Sequence, residues 1–361
     1  MDIIMPDYSN CLANLPNSIL KAFGAETVGK TLPLADGFLQ NEYRNVVVLL
    51  LDGMGTKIIE RHLKEDGVFR SHLAGSYTSV FLPTTVAATT SAMSGLQPCE
   101  HGWLGWDMYY PQVDKNVTVF LNIEQNTDKP AADYNLAWTH TPYKSVVQRI
   151  NEAGGTAYES MPFMPPFPQD IDTILERIKT LCSEPGKKYI YSYWSEPDGA
   201  LHEYGSGSKE VFDMLASLEE KVSTLTDLED TIVFITADHG HINTSSARIE
   251  DYPKIYECLK RNPSLEPRTL NLFVREGMEE TFEKEFNKEF GDKFWLMKTE
   301  EVLERKMLGT AKERDDLQSY LGNYIAIATG DLSIYFTDAD YRSMHAGLTE
   351  DEMLIPLIVF N

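Results

Sequence analysis

The stretch Val46-Val47-Val48-Leu49-Leu50-Leu51-Asp52-Gly53 decides the fold of this chain. Its first six residues are apolar without interruption, which is typical of a parallel strand buried on both faces of a sheet. A carboxylate and a glycine follow where the strand should end. In open α/β sheets, ligands bind beyond the carboxyl ends of the strands. Asp52 is therefore a candidate site residue, although Asp-Gly is also an ordinary turn.

Further strands and helices alternate along the chain. The sequence predicts strands at 188–194, 231–235, 332–336 and 355–360. Apolar residues recur at helical spacing over 171–181 and 211–225. This alternation predicts an α/β fold with a mostly parallel central sheet and helices on both faces.

Residues 250–320 differ from the rest of the chain in their charge. They contain 13 Lys and Arg against 17 Asp and Glu, whereas the whole chain has 32 against 55. The segment has the pattern strand, helix, strand, helix over 269–274, 279–290, 294–297 and 300–308. We predict a small α+β insertion or cap at 250–320, within a catalytic core formed by 1–249 and 321–361.

The composition excludes several classes of partner. The net charge of -23 repels polyanions, which argues against polymeric nucleic acid and against an anionic membrane surface. The longest apolar runs are far shorter than the roughly 20 residues that a membrane span needs. The first residues lack the pattern of a signal peptide, and the four cysteines are scattered without a CxxC motif. We therefore expect a cytoplasmic protein. Because the chain as a whole is acidic, an anionic substrate would need a local positive centre, such as bound metal ions.

Carboxylates and imidazoles follow several of the predicted strands. Each one alone has a structural interpretation, as part of a turn, a surface helix pair or a helix cap. Together they supply three carboxylates and three imidazoles at the same predicted edge of the sheet, which suits two borderline divalent metal ions. The six candidate ligands are Asp52, Asp198, His202, Asp238, His239 and His345.

A second feature is the segment Phe81-Leu82-Pro83-Thr84-Thr85. Small helix-forming residues run from Val86 to Gly95, and a glycine is a natural helix terminator. A threonine hydroxyl is thus expected at a helix N-terminus, where backbone N–H groups favour anions. Thr84 or Thr85 could simply cap this helix. Beside a zinc-like Lewis acid, either could instead act as a nucleophile.

The motifs together resemble the alkaline phosphatase superfamily, and in particular its type I phosphodiesterase/nucleotide pyrophosphatase family. The resemblance begins near residue 45, continues to the C-terminus, and does not include 250–320 as a diagnostic segment. It implies an alkaline phosphatase-like fold. The motifs that carry it are Leu49–Gly53, Pro83–Thr85, Ser94–Pro98, Glu100–Gly102, Glu196–Asp198 with His202, Thr236–Gly240, and His345.

This resemblance also implies roles for individual residues. Asp52, Asp238 and His239 would hold one zinc ion, to which the nucleophilic threonine would bridge. The second zinc ion would be held by Asp198, His202 and His345. The family's spacing to Gly95 indicates Thr85 as the nucleophile, with Thr84 as the alternative. Two divalent ions are thus expected, as Zn²⁺ or alternatively Mn²⁺.

The sequence also departs from the family's pattern. Where the family places an Asn that helps to bind phosphoryl oxygens, this chain has Trp106. Trp103 and Trp106 could form an apolar wall for a leaving group, although core packing is the commoner role of Trp. His101 resembles a structural histidine of the family rather than a ligand.

We expect a hydrolase of phosphate diesters or pyrophosphates that forms a phosphothreonine intermediate. No cation follows Thr85, since the next residues are Val86-Ala87-Ala88. The extra charge of a phosphomonoester would therefore lack a partner there. The expected partner is a small-molecule phosphoester, with a nucleotide as one candidate. The alternatives are a phosphomonoesterase or phosphonate hydrolase of the same superfamily, a metal-dependent phosphomutase, and a non-catalytic metal-bound scaffold.

Overall fold

The computed structural model describes residues 2–337 and 341–361. The strands in these ranges are β1 (Asn45–Leu51), β2 (Leu73–Thr78), β3 (Asp107–Tyr110), β4 (Lys115–Thr118), β5 (Ile123–Glu124), β6 (Ala157–Ser160), β7 (Lys188–Trp194), β8 (Thr231–Thr236), β9 (Ile242–Asn243), β10 (Ser245–Arg248), β11 (Ser264–Glu266), β12 (Thr269–Leu272), β13 (Phe294–Lys298), β14 (Tyr324–Ala328), β15 (Leu332–Tyr335), β16 (Ser343–Met344) and β17 (Leu354–Phe360).

The α-helices in the same ranges are α1 (Asn14–Ala22), α2 (Pro33–Phe38), α3 (Thr56–His62), α4 (Val68–Ser71), α5 (Thr85–Ser94), α6 (Pro98–His101), α7 (Leu136–His140), α8 (Val146–Glu152), α9 (Ile171–Ser183), α10 (Asp198–Tyr204), α11 (Lys209–Ser223), α12 (Pro253–Tyr256), α13 (Glu279–Phe290), α14 (Thr299–Glu304) and α15 (Glu350–Met353). None of the helices in the described part of the chain combines the length and the apolar character that a bilayer crossing needs.

The central sheet has the strand order β2-β17-β8-β1-β7-β6 in the described residues. β1 lies between β7 and β8 and is parallel to both, and every one of its residues is buried. This is the position that its continuous apolar run predicts. β17 runs antiparallel to both of its neighbours. The predicted α/β class with a mostly parallel sheet is confirmed.

The predicted strand at 332–336 lies elsewhere. The corresponding β15 pairs in parallel with β10 in a separate two-stranded sheet and does not join the central one. The reason is that β15 follows directly on β14, so no crossover helix returns it to the central sheet. An alternating pattern predicts a strand but not its partner.

A second sheet has the order β13-β14-β12-β11-β3-β4-β5 in the described residues, and its pairs are antiparallel. The four elements predicted within 250–320 are present as β12, α13, β13 and α14. They share this sheet with β3 to β5, which come from residues 107–124. The division into a core and an insertion at 250–320 stays a prediction. We propose that the smaller unit also includes 107–124 and β14, which lies between β13 and β12 in this sheet.

A buried ion pair links the second sheet to the central one. Arg268, between β11 and β12, donates hydrogen bonds to both carboxylate oxygens of Glu352 in α15, at 2.6 and 2.7 Å. Both side chains are fully buried. Glu352 also accepts hydrogen bonds from the Gly347 amide and the Thr349 hydroxyl, both at 2.6 Å. Glu352 therefore connects Arg268 of the second sheet to Gly347 and Thr349 in the segment that follows β16.

Candidate active site

Three acidic residues meet at the carboxyl edge of the central sheet. Asp52 follows β1 directly, Asp198 begins α10 after β7, and Asp238 lies two residues after β8. Because these strands are neighbours, their ends lie side by side. The Asp198 amide donates to the Asp52 carbonyl at 3.0 Å, and the Gly53 amide donates to Asp238 Oδ1 at 3.1 Å. These hydrogen bonds fix the spacing of the three carboxylates.

The first cluster consists of Asp52, Asp238, His239 and Thr85. Nε2 of His239 lies 3.3 Å from Asp52 Oδ1, 3.5 Å from Asp238 Oδ2 and 3.3 Å from Thr85 Oγ1. The two carboxylates and the imidazole are buried, with exposures of 2% or less. The structure thus brings together the residues predicted for one metal ion and the predicted nucleophile.

The second cluster surrounds Asp198 Oδ1. Nε2 of His202, one helical turn further along α10, lies 3.4 Å away, and Nε2 of His345 lies 3.8 Å away. His345 follows β16, which pairs with β9 next to the first cluster. The rings of His345 and His239 stack at 3.8 Å between their centroids, so the two clusters are adjacent.

The proton positions on three histidines follow from their partners. Nδ1 of His202 faces the Ser343 carbonyl at 2.9 Å, Nδ1 of His345 faces the Pro83 carbonyl at 3.3 Å, and Nδ1 of His239 faces the Gly240 carbonyl at 3.2 Å. A carbonyl oxygen only accepts, so each Nδ1 carries the proton. Each Nε2 therefore turns a lone pair toward the clusters, which is the arrangement of a metal-ligating imidazole.

Two carboxylate oxygens of the first cluster test whether the residues fit a metal ion. Asp52 Oδ1 and Asp238 Oδ2 are buried and have no hydrogen-bond partner among the described residues. Burial, and then the charge of Asp238, raise the pKa of Asp52 well above its usual range. Buried, unpaired carboxylates are costly unless a cation compensates them. Carboxylates and imidazole lone pairs that converge in this way fit divalent ions.

The two candidate nucleophiles have different surroundings. Thr84 is the N-cap residue of α5, and its hydroxyl donates to Glu266 Oε1 at 2.5 Å. Thr85 is the first residue of that helix, and its hydroxyl lies in the first cluster beside His239. The free backbone N–H groups of the helix N-terminus lie at the same place. Thr85 thus has the surroundings of a nucleophile, whereas the hydroxyl of Thr84 is already bonded.

A model of the family described as type I phosphodiesterase / nucleotide pyrophosphatase matches residues 46–266, more than half of the chain. The chain belongs to this family. The match confirms the family resemblance and, with it, the enzyme class of phosphoric ester hydrolases. The matched range contains all the candidate site residues except His345.

One curated relative matches a short segment. Bis(5'-adenosyl)-triphosphatase ENPP4 of Pongo abelii is 33% identical over 75 residues, which is 19% of this chain and 17% of that relative. Solved structures match more broadly. Murine ectonucleotide pyrophosphatase/phosphodiesterase 5, in an inactive form with AMP, is 16% identical with a TM-score of 0.61, covering 88% of this chain and 87% of that one.

Phosphonoacetate hydrolase from Sinorhizobium meliloti, in complex with phosphonoformate, is a second similar structure. It is 13% identical with a TM-score of 0.65, and the match covers 88% of this chain and 90% of that chain. At such identities the likeness concerns the fold alone. It agrees with the predicted alkaline phosphatase-like architecture of the phosphodiesterase family.

The two tryptophans near the family's Asn position have different environments. Trp103 is buried, its Nε1 donates to the Thr141 carbonyl at 2.7 Å, and its ring packs against Trp138. It is a core residue and forms no wall toward a leaving group. Trp106 is 43% exposed, with its ring edge-to-face against Phe120 at 5.9 Å. Its exposed ring is accessible to a leaving group. The prediction of an apolar wall is therefore consistent with Trp106 and not with the buried Trp103.

His101 takes no part in either cluster. It is buried, its Nε2 lies 3.0 Å from the Ser91 hydroxyl, and its Nδ1 accepts from the Trp103 amide at 3.0 Å. Burial, and then the charge of Arg314, lower its pKa to about 3. These contacts tie α5 to the segment after α6. They agree with the structural role that the resemblance implies.

Sequence reasoning missed two residues of this site. His241 is buried with Nε2 2.7 Å from Asp198 Oδ1, and it follows His239 by two residues, a spacing that could have drawn attention. Glu266, in β11, is also buried, and its Oε1 accepts from the Thr84 hydroxyl and from the Trp106 amide at 2.7 Å. No local pattern indicated Glu266, because its contacts come from segments more than 150 residues away.

Glu266 should make the stability of the protein depend on pH. Burial raises its pKa from 4.5 to about 7. Because the folded pKa lies above the unfolded one, the folded state binds the proton more tightly. The contribution of Glu266 to stability is therefore fully present below pH 4.5 and is lost as the pH rises through 7. The shift corresponds to about 3 kcal/mol. Glu266→Gln, which keeps an acceptor, should remove this decrease from urea unfolding curves measured between pH 4.5 and 8.

The exposed Glu65 offers a matched control for this prediction. Glu65→Gln should leave the pH dependence of the unfolding free energy as it is in the wild type. An identical decrease between pH 4.5 and 8 in Glu266→Gln would show that the buried carboxyl group is not its source.

Proposed function

We propose that this protein hydrolyses phosphate diesters or pyrophosphates at a site for two divalent metal ions, through a phosphothreonine at Thr85. One observation carries the proposal: imidazole lone pairs and unpaired carboxylate oxygens converge in two adjacent clusters, and the Thr85 hydroxyl lies in one of them. The first ion would be held by Asp52, Asp238, His239 and Thr85. The second would be held by Asp198, His202 and His345.

Zinc is the proposed metal, with manganese as the alternative. Mixed carboxylate and imidazole ligands at buried positions suit zinc, which binds both types of donor. When bound, such ions would lower the pKa of the threonine hydroxyl and offset the charge of the phosphate.

The proposed location of the protein is the cytoplasm. All four cysteines lie in the described residues and are buried and unpaired, which supports this location.

The proposed reaction has two displacement steps. In the first, Thr85 Oγ forms a bond to phosphorus, the bond from phosphorus to the leaving oxygen breaks, and the hydroxyl proton passes to solvent. In the second, a water oxygen bonds to phosphorus, the bond to Oγ breaks, and a proton from the water passes to Oγ, which restores the threonine and releases a phosphomonoester. The N–H groups at the start of α5 can donate to phosphoryl oxygens during both steps.

The surroundings of Thr85 favour a substrate of low charge. The residues after it, Val86-Ala87-Ala88, are buried and carry no cation. The nearby Glu266 would repel a second negative charge on the phosphate when it is ionised. A phosphodiester carries one negative charge fewer than a monoester, and its second substituent can contact the exposed Trp106. The proposed partner is therefore a small-molecule phosphodiester or pyrophosphate, with a nucleotide as one candidate.

The proposal is tested by comparing bis-p-nitrophenyl phosphate with p-nitrophenyl phosphate on zinc-loaded protein. We expect kcat/KM for the diester to be higher by at least about tenfold, equivalent to about 1.4 kcal/mol of transition-state stabilisation. A chelator should abolish turnover, and added Zn²⁺ should restore it. Preference for the monoester would overturn the proposed substrate class. Turnover that persists after the metal has been removed would overturn the mechanism.

A further inference from the structure

We propose that His241 is a fourth protein ligand of the second metal ion, beside Asp198, His202 and His345. The inference rests on the proposed two-metal function and adds a residue to it. His241 is fully buried, and its ring centroid lies 4.7 Å from that of His202 and 5.1 Å from that of His345. One ring nitrogen each of His241, His202 and His345 and one carboxylate oxygen of Asp198 all lie within 4.8 Å of one another.

The proton on the His241 ring is located by Ser343. The Ser343 hydroxyl has one proton, and it donates this proton to the Leu201 carbonyl at 2.6 Å. Its oxygen lies 3.1 Å from His241 Nδ1 and can only accept there, so Nδ1 carries the ring proton. A neutral imidazole has no second ring proton. Nε2 of His241 therefore presents a lone pair.

This lone pair faces an acceptor. Nε2 of His241 lies 2.7 Å from Asp198 Oδ1, so two lone pairs approach each other at the distance of a hydrogen bond without a proton between them. Such an approach is unfavourable unless a cation binds both atoms. The same Asp198 oxygen also faces the lone pairs of His202 and His345. A metal ion bound at this oxygen would satisfy all three imidazoles.

The ring of His241 is also fixed in place. Gly53 has a positive φ of 73°, and a Cβ at this position would lie 3.1 Å from His241 Cδ2 and 3.0 Å from Asp198 Cα. Only glycine leaves this space, so the turn after β1 accommodates both the ring and the start of α10. A ligand held in this way needs little reorganisation when the ion binds.

The test uses the His241→Gln variant. A glutamine amide can still donate a hydrogen bond to Asp198, but it is a weak ligand for Zn²⁺ or Co²⁺. We expect the affinity of the second site for Zn²⁺, measured by competition with a chromophoric chelator, to fall at least 10- to 100-fold. The visible absorption of the Co²⁺-loaded protein should change as well. Unchanged affinity and spectrum would show that His241 only donates a hydrogen bond, and would overturn the inference.

Two controls separate this inference from the proposed function. Asp198→Asn should lose the second ion, and retention of both ions would contradict the two-metal function itself. His101→Gln changes a buried histidine outside the clusters and should retain both ions. X-ray absorption of wild-type zinc protein gives a readout that needs no variant. Four imidazoles shared by two ions average two per zinc, whereas three average 1.5, and the lower value would overturn the inference.

Discussion

Thr85→Ala should lower turnover of bis-p-nitrophenyl phosphate by about 10⁴-fold or more, because the variant lacks the oxygen that forms the bond to phosphorus. The Thr85 side chain faces the ligand cluster and contributes little to the core, so the variant should fold and keep the other three proposed ligands of the first ion, Asp52, Asp238 and His239. Acid quenching of the wild type during turnover of a labelled diester should trap a phosphothreonine at this position. Kinetics and peptide mapping measure the two effects.

Thr84→Ala is the matched control for this variant. The Thr84 hydroxyl is bonded to Glu266, so its loss should change turnover by no more than about tenfold through the position of the helix start. Thr85→Ser should keep a nucleophile and retain part of the activity. If Thr84→Ala were as inactive as Thr85→Ala is expected to be, or if Thr85→Ala stayed active, the nucleophile would be assigned to the wrong residue.

Asp238→Asn should remove one metal ion per chain and lower turnover by more than about 100-fold. A loss of up to 100-fold is typical when a residue that only hydrogen-bonds to a metal ligand is removed, and Asp238 is proposed as a ligand itself. The reason is that Oδ2 of Asp238 is buried without a partner in the described residues, whereas Oδ1 accepts from the Gly53 amide and an asparagine oxygen can replace it there. Metal analysis after dialysis should give one zinc per chain instead of two.

The same loss should appear in stability. Binding of an ion at about 1,000 times its dissociation constant adds about 4 kcal/mol to the free energy of unfolding, so the variant should gain less from added Zn²⁺ than the wild type. Asp107→Asn is the control, since Asp107 is a half-buried carboxylate of β3 bonded by Thr118 at 2.5 Å and belongs to neither cluster. Two zinc ions in Asp238→Asn, or one in Asp107→Asn, would contradict the assigned ligands.

The local pattern of the chain predicted the strands that carry the site. A continuous run of apolar residues predicts a strand that is buried on both faces, and β1 is buried in this way. Asp52 and Asp238 could be predicted because they follow such strands within two residues. The antiparallel direction of β17 and the separate pairing of β15 could not, since the partner of a strand depends on residues distant in sequence.

The missed residues of the site illustrate the same limit. The lone pair on His241 depends on Ser343, 102 residues away, and on the proton that Ser343 gives to the Leu201 carbonyl. Glu266 in β11 reaches Thr84 at the start of α5 and the amide of Trp106 beside β3, both more than 150 residues away in the sequence. A sequence shows which side chains can bind a metal or a proton, but which of their atoms are left without a partner is a property of the assembled fold.

The second sheet is built from strands that are far apart in the sequence, and this has a consequence for folding during synthesis. β3 finds its neighbour β11 through the pair Asp107 and Leu265, which are 158 residues apart. At roughly 5–20 residues per second, a ribosome takes about 8–30 s to make that stretch. Until then the edge of the β3–β5 hairpins has unpaired backbone groups, which are open to association with other nascent chains. Chaperones that shield such edges should therefore matter most for this protein while it is still being translated.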